Sequence, residues 1–455
     1  MNRVANRAGI TVLIALLLIA GLGFFVAEFV MDAEQWVIFS GSPHIYSGGN
    51  LGCGTVEDRN GTLLLDLEEG RTYADSEALR KATVHWLGDR YGSISAPALA
   101  SHAADMAGYD LVNGVYTYAD VGGKAILTLS ADAQLAALEA MGDKKGTVAV
   151  YNYETGEILC AVTTPNYDPD NVPDTQNDPQ GIYEGIYVNR FTQSTYTPGS
   201  IFKIVTMAAA LEENLDLQNA TFWCDGSYEM AGGEITCEHA HGDQTMKDAF
   251  RNSCNCAFAY LASELGAEKM EAYVSGFGLN DPVTFDGTET VKGNYEVSGQ
   301  SEVDIGWSGV GQHNDQINPC AFLTFTGAIA NGGRAAKPYL VEEVRVGSSR
   351  TYRARTQQGA SVVSAQTAEI LTEYMRSNVQ NKYGDEYFPG LQVCAKTGTA
   401  EVGGDKKSNA MLAGFVMDRE YPLAFIVCVE DGGYGAQVCM PIASKVLPAC
   451  VEALT

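Results

Sequence analysis

The chain has 455 residues, too many for one ordinary domain, and 46% of them are hydrophobic, which is enough to bury a large core. Its formal net charge of −27 argues against nucleic acid or anionic lipid as a partner through bulk electrostatics. We therefore expect two or three globular parts and no nucleic-acid partner.

An apolar stretch near the N-terminus, residues 8–27, has about the length that spans a bilayer. Arg3 and Arg7 precede it, and acidic residues follow it from Glu28 onward. This charge order predicts that the N-terminus lies inside and the bulk of the chain outside. The rival interpretation is a cleaved signal peptide, but its apolar core would be shorter and no convincing A-x-A site follows. We expect a single-pass anchor over residues 1–31 and an extracytoplasmic remainder at the cell membrane.

The region after the anchor, residues 32–122, is rich in glycine and alanine and has mixed hydrophobic patterning. Its segment GTVEDRNGTLLL predicts a strand, a turn at Asn60-Gly61 and a second strand. We interpret this region as a small α+β pedestal module.

Residues 123–455 show the pattern of a larger α+β domain. A strand, an N-cap at Ser130 and an amphipathic helix come first, followed by a hairpin that turns at residues 154–156. A mostly helical middle covers about residues 200–335, and the remainder is rich in strands before a last helix. Strands at both ends of a domain, with helices between them, predict an antiparallel sheet flanked by helices.

Eleven cysteines, an odd number, cannot all pair with one another. Cys160, Cys394 and Cys428 lie in apolar segments, and we interpret them as small buried residues. Cys224 and Cys237 differ, because they flank the polar, hairpin-like stretch CDGSYEMAGGEITC.

Three interpretations of Cys224 and Cys237 stay open. A disulfide is plausible outside the membrane, and two free thiols are the second interpretation. The third is a zinc site completed by His239 and His241, which follow closely. We expect a disulfide rather than the zinc site, and therefore no metal and no cofactor.

Three short motifs occur in order along the larger domain: Ser-x-x-Lys in TPGSIFKIVT, Ser-x-Asn in SCN, and Lys-Thr-Gly in KTGT. The apolar run after Ser200 predicts a buried helix whose first turn contains that serine. Ser200 and Lys203 would then share one face of the helix. Alone, the serine is most simply a helix cap, and the other two motifs are ordinary loop and strand residues. Together they form the motif set of penicillin-binding proteins and class A β-lactamases.

Acyl transfer explains why these residue types would come together. An oxygen nucleophile such as Ser200 needs a base within hydrogen-bond reach, and a lysine serves only when an amine is neutral. Burial of Lys203 and the positive charge of Lys396 would favour the neutral amine. Ser253 is suited to relaying a proton, and Asn255 offers both a donor and an acceptor to a peptide backbone.

Two backbone features complete the predicted site. Ser200 begins a helix, so its N–H is free to stabilise an oxyanion, helped by the helix dipole. Gly398 would let the edge of a strand approach a bound peptide closely, so that the peptide adds to the sheet as a further strand.

With these motifs placed, the chain resembles a class B penicillin-binding protein, a peptidoglycan D,D-transpeptidase, over most of its length. The resemblance extends to the DRNG segment of the N-terminal module and to the stretch HGDQTMKDAFRNSCNCAF. It also includes the stretch GVGQHNDQINPCAFLTFTGAIANGG. It implies an α+β transpeptidase fold of the penicillin-binding and serine β-lactamase type. Cys224 and Cys237 match a cysteine pair of some members, which supports the disulfide.

The resemblance also implies roles for the motif residues. Ser200 would attack the carbonyl of the penultimate D-alanine of a stem peptide, with Lys203 as base. Protonation through Ser253 would release the terminal D-alanine, while Asn255 holds the peptide amide. An amine of a neighbouring stem peptide would then take the acyl group.

Recognition of the substrate carboxylate, or of the carboxylate of a β-lactam, falls by resemblance to Lys396, Thr397 and Thr399. The backbone N–H groups of Ser200 and Thr399 would form the oxyanion hole. One departure from the family lies in the loop after Gly311, because His313 stands where glycine is common.

The stretch between the anchor and the catalytic region is too short for a glycosyltransferase domain. By resemblance, glycan polymerisation would come from a partner, a polytopic SEDS-type glycosyltransferase of elongation, division or sporulation. The expected ligands of this chain are stem peptides and β-lactam antibiotics.

Other functions use the same residues. A D,D-carboxypeptidase would pass the acyl group to water. A β-lactamase would need a carboxylate to activate that water, and no such motif is obvious. A catalytically silent scaffold or penicillin sensor would be kept for its contacts, although the intact motifs argue against inactivity.

Overall fold

The computed structural model describes residues 2–39, 42, 45–68, 70–109, 111, 122–404 and 407–455. The helices are α1 Asn2–Val37, α2 Glu77–Leu87, α3 Pro97–Ala100, α4 Ala103–Ala107, α5 Ala131–Met141, α6 Arg190–Gln193, α7 Lys203–Glu213, α8 Met246–Asn252, α9 Asn255–Gly276, α10 Glu302–Gly309, α11 Pro319–Ala330, α12 Ala365–Asn378 and α13 Gly435–Glu452.

The strands are β1 Tyr46–Ser47, β2 Asn50–Leu51, β3 Thr55–Glu57, β4 Leu63–Asp66, β5 Thr72–Tyr73, β6 Lys124–Leu127, β7 Gly146–Asn152, β8 Ile158–Thr164, β9 Thr221–Cys224, β10 Ser227–Met230, β11 Gly233–Thr236, β12 Gly242–Thr245, β13 Thr284–Phe285, β14 Thr288–Glu289, β15 Val341–Val346, β16 Ser349–Arg353, β17 Val393–Ala400, β18 Asn409–Val416 and β19 Leu423–Val429.

Helix α1 contains the segment predicted as an anchor. Its portion Arg3–Ala33 is long and apolar enough to cross a membrane, and the apolar window within it is not buried against the rest of the chain. Large side chains such as Leu17 and Phe24 are about two-thirds exposed, at 64% and 66%. An apolar surface of this size needs a covering, and lipid supplies one.

A six-stranded sheet has the order β16-β15-β6-β3-β4-β5. Strand β3 pairs in parallel with β6, whereas the other neighbours are antiparallel. Strands from both sides of the predicted boundary at residue 122 therefore share one sheet. The boundary itself stays a prediction, and residues 112–121 beside it lie outside the described residues.

A five-stranded antiparallel sheet has the order β17-β18-β19-β7-β8. It is buried on both faces. Val148 and Val150 belong to the core that includes residues of α5 and α13, whereas Ala149 and Tyr151 belong to the core that includes α7 and α11. This alternation follows from the two-residue period of a strand. The prediction of an antiparallel sheet flanked by helices, built from both ends of the domain, is confirmed.

Several local predictions are confirmed. Ser130 caps α5 by accepting a hydrogen bond from the N–H of Ala133, and β7 and β8 form the predicted hairpin. The buried cysteines Cys160, Cys394 and Cys428 are fully enclosed.

The middle of the domain differs in part from the prediction. Besides helices, it holds the short strand pairs β9–β12 and β10–β11, whose polar sequences lack an alternating hydrophobic signal. Helix α12 and the strands β15 and β16, further along the chain, were not predicted individually.

Helix α2, in the predicted pedestal module, packs against the region after residue 122. The indole N–H of Trp86 donates to the carbonyl of Ala161 on β8 at 2.7 Å. Arg80 forms a bidentate ion pair with Asp168, with N···O distances of 2.7 and 2.8 Å. Bidentate geometry fixes the relative orientation of the two groups as well as their distance.

The aspartate of the DRNG segment makes a second junction. Asp58 is buried, and one carboxylate oxygen accepts from the N–H groups of Asn60 and Thr62 at 2.9 and 2.7 Å. The other oxygen accepts from the N–H of Ala131, the first residue of α5, at 2.9 Å. An anion is favourable at a helix N-terminus, so one side chain both closes the turn and holds α5.

We expect Asp58→Ala to lower the free energy of unfolding by about 3 kcal/mol, because it leaves buried N–H groups without an acceptor. Thermal unfolding of the full chain in detergent would show this as a midpoint several degrees lower. Asp66→Ala is the matched control, since Asp66 makes one exposed hydrogen bond to the N–H of Glu68. Equal midpoints for the two variants would contradict the assigned role.

Candidate active site

The predicted nucleophile lies on a sharp turn. Residues Gly199–Phe202 form a 3-10 turn that runs directly into α7, where the prediction had been a first α-helical turn. Gly199 has φ 54°, in the left-handed region that favours glycine. Its N–H donates to the carbonyl of Gly311 at 2.8 Å, which ties the turn to the loop before α11. Ser200 is half-buried on this turn.

Lys203 begins α7 and is fully buried beneath the serine. Its Nζ lies 3.2 Å from Ser200 Oγ, which is the predicted pairing. The same amine contacts the carbonyl oxygen of Ser253 at 2.6 Å, the hydroxyl of Ser253 at 3.1 Å and Asn255 Oδ1 at 2.7 Å. Four oxygens therefore surround it.

The Ser-x-Asn motif is placed by one unusual backbone conformation. Ser253 has φ 59° and ψ 40°, ends α8 in the left-handed region, and donates its N–H to the carbonyl of Phe250. This reversal allows α9 to start two residues later at Asn255. The Asn255 side chain then bridges Lys203 and the carbonyl of Thr236, to which its Nδ2 donates at 2.7 Å.

Lys396 brings the third motif to the same point. It is buried on β17, and its Nζ donates to Ser253 Oγ at 3.1 Å and to the carbonyl of Thr397 at 2.9 Å. Two lysine amines thus meet on one serine hydroxyl. Among the described residues, neither amine has a carboxylate within 4 Å.

Burial is the main reason that the pKa values of Lys203 and Lys396 are lowered. Burial lowers the pKa of Lys203 to about 7, and the nearby charge of Lys382 acts in the same direction. Burial, and then the charge of Lys203, lower the pKa of Lys396 well below its ordinary value. Two ammonium groups on one hydroxyl repel each other, so the pair readily gives up a proton.

Two residues of the site were missed by the sequence analysis. Tyr383, at the end of a π-helical turn after α12, accepts through its hydroxyl a hydrogen bond from the N–H of Thr397 at 3.2 Å and lies 3.1 Å from Thr397 Oγ1. The second is Lys382, the neighbouring cation. Neither belongs to a motif with a fixed spacing, so no sequence signal pointed to them.

Gly398 has a structural role in addition to the predicted one, which stays a prediction. A Cβ at this position would lie 2.9 Å from the carbonyl oxygen of Pro198 and 3.1 Å from the nitrogen of Ile201. The missing side chain therefore makes room for the nucleophile turn. Strand β17 is also the edge of its sheet, which leaves the other side of the strand for an extended ligand. Thr399 Oγ1 accepts from the N–H of Gly435 at 3.3 Å.

The departure at His313 also has a structural account. His313 has φ 67°, a conformation that favours glycine, and its Nε2 lies 3.8 Å from a carboxylate oxygen of Asp304. The backbone shape expected of a glycine is present, although the residue is not glycine.

The sulfur atoms of Cys224 and Cys237 lie 3.8 Å apart, and both cysteines are free thiols in this structure. The disulfide between them stays a prediction. Two further potential ligands, His241 and Cys254, lie beside the pair.

Comparison with known proteins extends these observations. Residues 146–448 match the model of the penicillin binding protein transpeptidase domain. Peptidoglycan D,D-transpeptidase PbpA of Mycolicibacterium smegmatis is 30% identical over 367 residues, which cover 73% of this chain and 73% of PbpA.

Solved structures agree with the family match. The D,D-transpeptidase domain of a peptidoglycan glycosyltransferase from Eggerthella lenta is 26% identical, with a TM-score of 0.75 over 88% of this chain and 98% of that one. The imipenem acyl-enzyme complex of penicillin-binding protein A from Mycobacterium tuberculosis is 25% identical, with a TM-score of 0.75 over 87% and 98%. With its three motifs assembled around Ser200, the chain belongs to the family of penicillin-binding protein transpeptidases.

Proposed function

We propose that this protein cross-links peptidoglycan as a D,D-transpeptidase, with Ser200 as the nucleophile and Lys203 as its base. The observation that carries the assignment of roles is the 3.2 Å contact between Lys203 Nζ and Ser200 Oγ. A nucleophile and base within hydrogen-bond reach are what acyl transfer requires. The family to which the chain belongs consists of serine acyltransferases.

Acylation follows from this contact. Neutral Lys203 takes the proton of Ser200 as Oγ bonds to the carbonyl carbon of the penultimate D-alanine. The resulting oxyanion faces the N–H groups of Ser200 and Thr399. When the C–N bond breaks, the leaving amine receives the proton from Lys203 through Ser253, whose hydroxyl lies 3.1 Å from the lysine amine.

Deacylation reverses these roles. The amine of a second stem peptide attacks the ester and gives its proton to Lys203 through Ser253. As the C–Oγ bond breaks and the new amide forms, Lys203 returns that proton to Ser200 Oγ, 3.2 Å away. Attack by water instead would give a shortened peptide and no cross-link, the outcome of a carboxypeptidase.

The charge balance of the site supports a carboxylate substrate. Lys203 and Lys396 have no carboxylate partner among the described residues, so a bound anion would supply the missing charge. We assign the terminal carboxylate to Lys396, Thr397 and Thr399, and the peptide amide to Asn255. The free edge of β17 would pair with the extended peptide.

The protein is anchored to the membrane through α1. We place the catalytic domain outside the cytoplasm, because Arg3 and Arg7 precede the apolar segment and acidic residues follow it. For glycan polymerisation, we propose a partner of the SEDS glycosyltransferase type, since the region between anchor and catalytic domain is short.

Ser200→Ala is expected to abolish the covalent adduct with a fluorescent penicillin, because no other oxygen occupies the position of the nucleophile. Intact-mass analysis of the full chain in detergent would show about one adduct per wild-type chain. The exposed Ser349→Ala variant should label like the wild type. Labelling that persists in Ser200→Ala, or no labelling of folded wild type, would contradict the assignment.

Product analysis with stem peptides separates the two enzymatic functions. Wild-type protein should form peptide dimers that are lost in Ser200→Ala. Shortened peptides without dimers would identify a carboxypeptidase and reject the transpeptidase.

The rate of acylation should rise with pH and level off above about pH 8, because Lys203 must be neutral and its pKa is lowered to about 7. Below that pKa the lysine is protonated, and the rate should fall about tenfold per pH unit. Intact-mass analysis of quenched time points would give the acylation rate at each pH, between about pH 5 and 9 in steps of about one unit.

Lys382→Gln tests the contribution that a neighbouring cation adds to burial in lowering the pKa of Lys203. Removal of this cation raises the pKa of Lys203, so the rising limb should move to higher pH. Glu373→Gln on the neighbouring helix α12, whose carboxylate pairs with Lys247, should leave the profile unchanged. If the rate of acylation instead decreased as the pH is raised from about 6 to about 8, Lys203 would be excluded as the base.

Gly398→Ala should slow acylation by at least tenfold, because the added methyl displaces the nucleophile turn through Pro198 and Ile201. Gly276→Ala is the matched control, since a Cβ there meets nothing within 4 Å. Equal rates for Gly398→Ala and the wild type, measured by penicillin labelling, would show that the turn tolerates the displacement.

A further inference from the structure

Four side chains of types that can ligate a metal converge at the Ser-x-Asn motif: Cys224, Cys237, His241 and Cys254. Their ligand atoms all lie within 4.8 Å of one another. Cys237 Sγ is 3.8 Å from both Cys224 Sγ and Cys254 Sγ, and His241 Nδ1 is 3.4 Å from Cys224 Sγ. The transpeptidase mechanism uses none of these groups.

The fold brings the four side chains together from separate segments. Cys224 ends β9, Cys237 follows β11, His241 precedes β12, and Cys254 lies between α8 and α9. The N–H of His241 donates to the carbonyl of Cys224 at 3.1 Å, and the N–H of Cys237 donates to the carbonyl of Gly226 at 2.9 Å. Main-chain hydrogen bonds thus hold the hairpin that carries three of the ligands.

In place of the Cys224–Cys237 disulfide expected from the sequence, we propose that Cys224, Cys237, His241 and Cys254 bind a structural zinc ion. Three thiolates and one imidazole form a closed tetrahedral donor set that suits Zn²⁺. With Zn–S bonds of about 2.3 Å, two sulfurs of a tetrahedral site lie about 3.8 Å apart. This is the separation of Cys237 Sγ from Cys224 Sγ and from Cys254 Sγ. Binding releases the thiol protons as the Zn–S bonds form.

A second histidine, His239, and a further cysteine, Cys256, lie beside the four ligands but are not part of the proposed site. His239 packs against His241, with ring centroids 4.5 Å apart, but is not one of the four converging groups. Cys256 Sγ lies 3.4 Å from Cys237 Sγ and 3.8 Å from the carbonyl of Ile235, and the N–H of Cys256 points at Cys237 Sγ from 3.5 Å. An N–H donor is typical support for a metal-bound thiolate.

A zinc ion here would act on the active site through the chain itself. Cys254 is the middle residue of the Ser-x-Asn motif, so the metal would fix the backbone between Ser253 and Asn255. Asn255 also contacts the carbonyl of Thr236, the residue before Cys237. The zinc ligands are therefore positioning residues for the proton relay. This consequence rests on the proposed function, whereas zinc binding itself does not.

Metal content is the first test. Full chain purified in detergent without chelator should contain about one zinc ion by elemental mass spectrometry, as should His239→Ala and Cys256→Ala. Cys224→Ala, Cys254→Ala and His241→Ala should hold less than about a tenth of that amount. His241→Cys should restore zinc, because four-cysteine sites are also tetrahedral zinc sites.

Cobalt substitution tests the wild type directly, so the proposal stays testable if the ligand variants fail to fold. Wild type stripped of zinc under reducing conditions and given Co²⁺ alone should show thiolate-to-cobalt charge transfer and the visible bands of tetrahedral cobalt. The proposal is overturned if purified wild type contains no zinc and the Co²⁺-treated protein shows none of these bands. A Cys224–Cys237 disulfide, detected by intact mass in protein purified without reductant, would also overturn it.

Penicillin labelling separates this inference from the proposed function. Removal of zinc from the wild type should slow acylation at least tenfold, and added Zn²⁺ should restore the rate. The rate lost in His241→Ala should likewise return in His241→Cys. Full zinc content with no labelling would reject the catalytic assignment alone. Normal labelling after zinc removal would overturn the positioning role.

Discussion

Two buried lysine amines share one serine hydroxyl, and the rest of the active site depends on how the fold makes that arrangement stable. A buried ammonium is costly unless it is solvated by polar groups or loses its proton. Lys203 is surrounded by oxygens of Ser200, Ser253 and Asn255, all of them neutral. Neutral oxygens tolerate either protonation state, which is what a base that must both take and return a proton requires.

This arrangement requires three elements to pack closely: the nucleophile turn before α7, the turn between α8 and α9, and strand β17. Particular backbone conformations make this packing possible. Gly199 and Ser253 both adopt positive φ angles, and Gly398 has no side chain where β17 passes the nucleophile turn. Ser253 differs from the two glycines, because a residue with a side chain rarely adopts a positive φ. A non-glycine residue held in the left-handed region is strained, and the strain here places a hydroxyl between two amines.

The sequence predicts the parts of the site that are encoded locally or by spacing. The buried strands alternate with a period of two, the helix caps have their usual residues, and the three motifs keep their order, so the sheet and Ser200, Lys203 and Lys396 could be anticipated. Tyr383 could not, because its role arises only when a π-helical turn meets β17. Nor could the grouping of Cys254 with Cys224, since one follows α8 and the other ends β9.

The six-stranded sheet has a mechanical consequence. Strand β3, from the predicted pedestal module, is hydrogen-bonded to β6, and β6 is bonded to β15 of the transpeptidase domain, so one sheet joins the two parts of the chain. Bending at this junction would break backbone hydrogen bonds along paired strands, which is far costlier than rotation about a flexible linker. A force applied to β3 would therefore be carried to β15 by paired backbone rather than absorbed by a flexible linker.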